Sequence, residues 1–130
     1  MYIEEYNEFS YAVSRQNPEE VAPILLKALS PSNSVLVRRL AASACEYVPT
    51  KDPAFYESLL SFLEDTSEDE KVRDYCAFAF CNQAQNGRVD IEKYRKRIEA
   101  VLIGLEKENG GGYVDLKTER LRRILNKTDE

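Results

Sequence analysis

The chain has 130 residues, 43% of them hydrophobic and 32% charged, and carries a net charge of −5. These values are ordinary for a soluble globular chain and predict one domain, with a core that buries roughly two-thirds of the unfolded surface. Histidine is absent, which removes the usual general base, the usual metal ligand and every His-containing triad.

The first helix is predicted over about 2–15. Tyr2, Tyr6, Phe9 and Val13 share one face, and Glu4, Glu5 and Glu8 lie off it near the positive N-terminus. Asn17 caps helix two, with Pro18 at its first position and Glu20 three residues after the cap. Pro23 falls within the first two turns and is expected to bend the start without breaking the helix. Residues 30–34 are a turn.

Helix three runs over about 34–48, with Val37, Leu40, Ala41, Ala44, Cys45 and Val48 as its buried stripe. The small residues Ala41, Ala42, Ser43 and Ala44 admit close neighbours. Helix four spans about 52–64, with Asp52 as cap and Pro53 at the first position. An acidic turn follows, and then helix five over about 68–85. The centre of helix five, 75–81, is apolar on every side and therefore belongs in the middle of the fold. Asn86-Gly87 closes it. Helix six covers about 90–108, capped by Asp90, with Tyr94, Ile98, Val101, Leu102 and Leu105 inward. Helix seven covers about 114–126, with Leu116, Leu121, Ile124 and Leu125 inward.

The chain repeats at an offset of 35 residues. Asn17-Pro18 before one apolar run matches Asp52-Pro53 before the next. Val37-Arg38, Ala41-Ala42 and Ala44 match Val72-Arg73, Cys76-Ala77 and Ala79. A fixed period of this size is the signature of stacked helical pairs. The resulting division is an N-terminal half-repeat cap (1–16), repeat one (17–48), repeat two (52–85) and a divergent C-terminal cap (90–127), all within one domain, 1–130. The predicted class is all-α, a short α-solenoid of about seven antiparallel helices.

The pattern Val-Arg-x-x-Ala-Ala, present as Val37–Ala42 and, with Cys at the fifth place, as Val72–Ala77, resembles HEAT repeats. The resemblance covers about 17–85. It implies a HEAT-like superhelix in which Arg38 and Arg73 are scaffold residues that bond to neighbouring turns. By size, acidity and lack of catalytic residues, the whole chain also resembles small bacterial immunity proteins, including those of contact-dependent growth inhibition. That resemblance implies a cognate toxin, often a basic nuclease, as partner.

Other chemistries find little support. No apolar run approaches the ~20 residues that span a bilayer. The acidic start lacks a basic n-region, so no secretory leader is expected. Three cysteines, Cys45, Cys76 and Cys81, are an odd number inside predicted helices, which argues against a disulfide framework and fits a reducing cytoplasm. No Cys-x-x-Cys offers zinc ligands. Gly110-Gly111-Gly112 has no strand before it and no Gly-Lys-Ser/Thr after it, and reads as a helix terminator.

Charge is unevenly placed. Residues 1–65 carry five basic and ten acidic side chains, whereas 90–127 carry ten basic and seven acidic. The turn Glu64, Asp65, Glu68, Asp69 and Glu70 is the densest acidic cluster. It suits the basic cleft of a protein partner, or simply a solvated turn that favours the start of helix five. Tyr11 and Tyr47 fall near the ends of helices one and three, equivalent to within a residue on the repeat ruler. Exposed tyrosines beside acids make partner anchors. The basic faces around Lys93, Arg95, Lys96 and Arg97, and around Arg120, Arg122 and Arg123, could meet phosphates, but interspersed glutamates favour a solvated face.

The expected function is protein binding without catalysis, cofactor, metal, nucleic acid or membrane, by a cytoplasmic protein that is monomeric when free. The candidate contact residues are Glu4, Glu5, Glu8, Tyr11, Tyr47, Glu64, Asp65, Glu68, Asp69 and Glu70. The specific expectation is an immunity protein that occludes a toxin's basic active-site surface. The alternative is an adaptor that holds a peptide in a concave groove through Arg39, Ser43, Glu46 and Asp74. Under the first expectation, affinity falls with salt, and charge reversal at Asp65, Glu68 and Asp69 weakens binding.

Overall fold

A computed structural model describes residues 3–108 and 116–128, with the helical backbone alone for 3–7 and 127–128. The described residues form seven helices and no strand: α1 (Ile3–Ser14), α2 (Pro18–Ala28), α3 (Val35–Cys45), α4 (Pro53–Glu64), α5 (Glu70–Gln85), α6 (Ile91–Glu108) and α7 (Leu116–Thr128). The fold is all-α, as the periodicity predicts.

Local chemistry sets the ends. Asn17, Ser34, Asp52 and Asp69 each accept a backbone N–H of the first turn they precede, from Glu19, Val37, Ala54 and Val72 respectively. Asn17 acts alone, because Glu20 is exposed and returns no bond to it. Helix α2 runs unbroken through Pro23, which faces solvent. Helix α5 starts two residues later than predicted, because Asp69 is its cap. It ends where Gly87 adopts φ +79°. There the Arg88 N–H reaches the Gln83 carbonyl at 2.9 Å and the Gly87 N–H reaches Ala84 at 3.1 Å. This double bond pattern needs a left-handed residue at Gly87. Helix α3 stops at Cys45, three residues early, where the Tyr47 and Val48 N–H groups turn back to Ala44 and Cys45.

The helices pack in two rows. The odd helices contact in sequence (α1 with α3, α3 with α5, α5 with α7), and so do the even ones (α2 with α4, α4 with α6). Across the rows, α2 packs on α3, α4 on α5 and α6 on α7. Within a row neighbours run alike. Arg39 near the start of α3 holds Asp69 before α5, and Asn82 and Gln83 near the end of α5 hold the Glu46 carbonyl after α3. The two rows enclose one core, in which Phe55, Leu59, Leu60, Leu63, Cys76, Ala77, Phe80 and Ile98 are fully buried. Each large side chain buried in this way contributes roughly 1.5–3 kcal/mol.

Arginines close the helical turns, as the repeat resemblance implies. Arg73 is buried, and its Nη2 and Nε donate to the Leu63 carbonyl at the end of α4, at 2.9 and 3.3 Å. In the first repeat the work is divided. Asn33 Nδ2 donates to the carbonyls of Lys27 and Ala28, while Arg38 Nη1 donates to the Asn33 carbonyl at 2.7 Å.

Two apolar residues expected inside lie outside. Val37 is 44% exposed although its repeat equivalent, Val72, is fully buried. Val72 has α3 alongside it, whereas no described residue covers Val37 to the same extent. Leu116 is 49% exposed because it opens α7 ahead of the face that Leu121, Ile124 and Leu125 turn inward. Tyr2, Gly110, Gly111, Gly112 and Tyr113 lie outside the described residues, as does the Tyr6 side chain.

Asp69 makes the fold acid-sensitive. The Arg39 guanidinium, aided by the Val72 N–H, holds its carboxyl at about 2, against 3.8 ordinarily. A depressed carboxyl stabilises the fold above its unfolded pKa, and that contribution is lost as pH falls through the folded value. The urea midpoint should therefore fall between about pH 4 and pH 2. Asp69→Asn should flatten that fall, and Asp69→Ala should cost roughly 1–2 kcal/mol at pH 7. Identical pH profiles for the Asn variant and the parent would refute this role.

Candidate partner-binding surface

The acidic turn is largely occupied by the fold itself. Glu68, with a side chain only 5% exposed, pairs with Arg38 at 3.0 Å. Asp69 takes a two-point bond from Arg39, at 2.9 and 2.7 Å. Glu64 receives Arg97 of α6 at 2.5 and 3.0 Å, and that bond holds its carboxyl below the usual range. Asp65 accepts the Ser67 hydroxyl and backbone N–H, which lower its pKa likewise, and it stays exposed. Glu70 is exposed with no polar partner among the described residues. Of the five acids, only Asp65 and Glu70 are open to a partner without breaking a contact between helices. Charge reversal at Glu68 or Asp69 therefore also strikes the stack, so a loss of partner binding there does not by itself report a contact. An adjacent Arg pair, Arg38-Arg39, set 30 residues before an adjacent acid pair was the signal for this in the sequence.

The tyrosines divide clearly. Tyr56 and Tyr94 are 2% and 4% exposed, and Tyr75 is half-buried. Tyr11 is 64% exposed and Tyr47 48%. Tyr11 lies near the end of α1 and Tyr47 just past the end of α3. Short turns reverse the chain between successive helices, so both side chains sit at the same end of the odd row. The Arg15 guanidinium is 5.6 Å from the Tyr11 ring centroid. Glu8, one turn before Tyr11, is exposed. The side chains of Glu4 and Glu5 lie outside the described residues.

The groove residues of the adaptor alternative are less open than expected. Ser43 is buried where α3 packs between α1 and α5, and its hydroxyl donates to the Leu40 carbonyl. Arg39 holds Asp69, and Asp74 pairs with Lys117 at 2.9 Å. Beside Glu46, however, a cavity of about 230 Å³ is bordered by Asn82, Gln85, Arg120 and Arg123. Arg120 lies over the Phe78 ring, 4.5 Å from its centroid. The basic faces are interlaced with acids: Arg95 with Glu92 and Glu99, Arg97 with Glu57 and Glu64, Arg122 with Glu106, and Arg123 with Glu119.

Burial pushes the Cys45 and Cys81 thiols up to about 12 and raises Cys76 as well, so all three stay protonated at neutral pH. Among the described residues no group of three His, Cys, Asp or Glu is placed to hold a metal ion, and no helix is long and apolar enough to cross a membrane. The chain matches no protein-family model, no curated protein and no solved structure.

The division of the acidic turn is measurable. Glu68→Lys sets a cation against Arg38 and should lower stability by roughly 2–4 kcal/mol. Glu70→Lys should stay within about 1 kcal/mol of the parent. Urea denaturation of the two variants decides it, and equal losses would contradict the assignment.

Proposed function

We propose that the chain is a non-catalytic protein-binding module built from HEAT-like helical pairs, and that its partner is a basic protein. The observation that carries this reading is the exposure of Tyr11 and Tyr47 at one end of the odd row, in a chain that buries its other well-described large aromatics wholly or partly. Large, stiff aromatic side chains contribute contact area at low entropic cost, and they dominate interface energetics. Glu8 beside Tyr11 and the acidic balance of residues 1–65 favour a basic surface opposite.

The finer form of the proposal is an immunity protein of the contact-dependent growth inhibition type, acting in the cytoplasm on a toxin domain. The mechanism is occlusion. Tyr11 and Tyr47 enter the toxin surface, while Glu8, Asp65 and Glu70 supply charge that speeds encounter and weakens with salt. A stable complex of this kind buries about 1,600 Å². Three inert, protonated thiols accord with a binding role and with a reducing compartment.

A second reading, an adaptor for a peptide, is favoured by the cavity beside Glu46. Arg120 and Arg123 there suit a peptide carboxylate.

An affinity capture from the source lysate separates the two. The parent, a Tyr11→Ala/Tyr47→Ala variant and an Arg120→Ala variant are compared, after urea midpoints verify that all three fold. A single stoichiometric basic protein, retained at least about tenfold less by the tyrosine variant, is the expected result. Retention that depends on Arg120 and not on the tyrosines would replace it with the adaptor reading.

A further inference from the structure

A cavity of about 260 Å³ opens between the N-terminal ends of α4 and α6. Three cations border it, each from a different segment: Lys51 before α4, Arg88 between α5 and α6, and Lys93 in the first turn of α6. None of them forms an ion pair among the described residues. Arg88 is held in place by a buried amide. Its Nη1 donates to Gln83 Oε1 at 2.9 Å, and Gln83 is itself anchored to the Glu46 carbonyl at 3.1 Å. Asp90 also borders the cavity, so three cations face one carboxylate within a chain whose net charge is −5.

Tyr94 supplies the observation that points to a ligand. It lines the cavity, is 96% buried, and packs edge-on against Phe80 with ring centroids 6.1 Å apart. Tyr56, which also lines the cavity, donates its hydroxyl to the Thr50 carbonyl at 2.5 Å, whereas the Tyr94 hydroxyl is not sealed from solvent and stays open to the cavity. The Tyr94 hydroxyl has no hydrogen-bond partner among the described residues. A nearly buried phenol and three cations without an ion pair among the described residues, one of which (Lys93) lies 5.3 Å from the Tyr94 ring centroid, thus line one cavity.

We propose that this cavity binds a small phosphomonoester. The dianionic phosphate is held by Lys51, Arg88 and Lys93 and by the Tyr94 hydroxyl as a neutral donor, while the organic group rests against Pro53 and Val89. A dianion balances the surplus of two positive charges on the lining, which a single carboxylate does not. Its three peripheral oxygens can also accept from donors on three separate segments, where a carboxylate offers two oxygens in one plane. The volume exceeds what a bare phosphate fills, which leaves room for the ester group. The inference is independent of the protein-binding reading, whose anchors are Tyr11 and Tyr47.

Calorimetric titration at fixed ionic strength tests it, with phenyl phosphate as the probe and benzoate as the comparator. One phenyl phosphate per chain is expected, bound at least about tenfold more tightly than benzoate. Lys51→Gln/Lys93→Gln removes two exposed cations and should weaken the probe by about tenfold or more at an unchanged urea midpoint. Tyr94→Phe keeps the ring and the core and should weaken it about fivefold to tenfold. Absence of binding at millimolar probe, benzoate bound as well as phenyl phosphate, or an affinity indifferent to the lysine variant would each overturn the proposal.

Discussion

Helix α5 buries Val72, Cys76, Ala77, Ala79, Phe80 and Cys81 over about half of its circumference and leaves the face of Lys71, Asp74, Phe78 and Asn82 partly open. So wide an apolar face is stable in water only when several neighbours cover it. α3 and α7 cover it within its own row, and α4 covers it from the other. Small residues make this possible: Ala41, Ala42 and Ala44 on α3, and Ala77 and Ala79 on α5, leave no side chain long enough to hold the helices apart. The positions of α1, α2 and α6 then follow, because each must cover what remains exposed on α3, α4 and α7.

Polar straps fix the register of that stack. Glu19 of α2 accepts the Thr50 hydroxyl and the Lys51 N–H ahead of α4, at 2.8 and 2.9 Å, which also keeps its carboxyl below the usual range. Arg97 of α6 reaches back to Glu57 and Glu64 of α4, and Arg38 and Arg39 of α3 reach forward to Glu68 and Asp69. Lys117 of α7 holds Asp74 of α5. Apolar contact alone is non-directional and would tolerate sliding along a row, whereas a two-point guanidinium–carboxylate bond tolerates very little. Most of these pairs are partly exposed, so their worth lies in geometry more than in energy.

This use of charge bears directly on function. A run of acids in a turn reads as a binding feature, yet most of this one is consumed in joining α5 to α3 and α4 to α6. What stays exposed is less conspicuous, two tyrosines at one end of the odd row with a few acids around them, and these are the residues the proposed binding role uses. The same logic isolates the cations around Tyr94. Arg38, Arg39, Arg73 and Arg97 are each matched to an acid about one repeat away, whereas Lys51, Arg88 and Lys93, which line one cavity, form no ion pair among the described residues.

The sequence by itself determined the helices and two of their caps. Those properties depend on local spacing: Asn17 and Asp52 before apolar runs, Gly87 at the close of α5, and a 35-residue period in the apolar pattern, whereas the caps Ser34 and Asp69 emerged only in the structure. The scaffold role of Arg38 and Arg73 is what the resemblance to HEAT repeats implies, and their bonds to the Asn33 and Leu63 carbonyls accord with it. Only the tertiary structure decided which charges were free. Whether Glu68 faces water or Arg38, and whether Tyr94 finds a partner when Tyr56 does, depends on side chains that lie far apart in the chain and meet only when the rows close. The exposure of Val37 beside the burial of Val72 carries the same lesson. Two residues with the same local pattern differ in what the tertiary structure packs beside them.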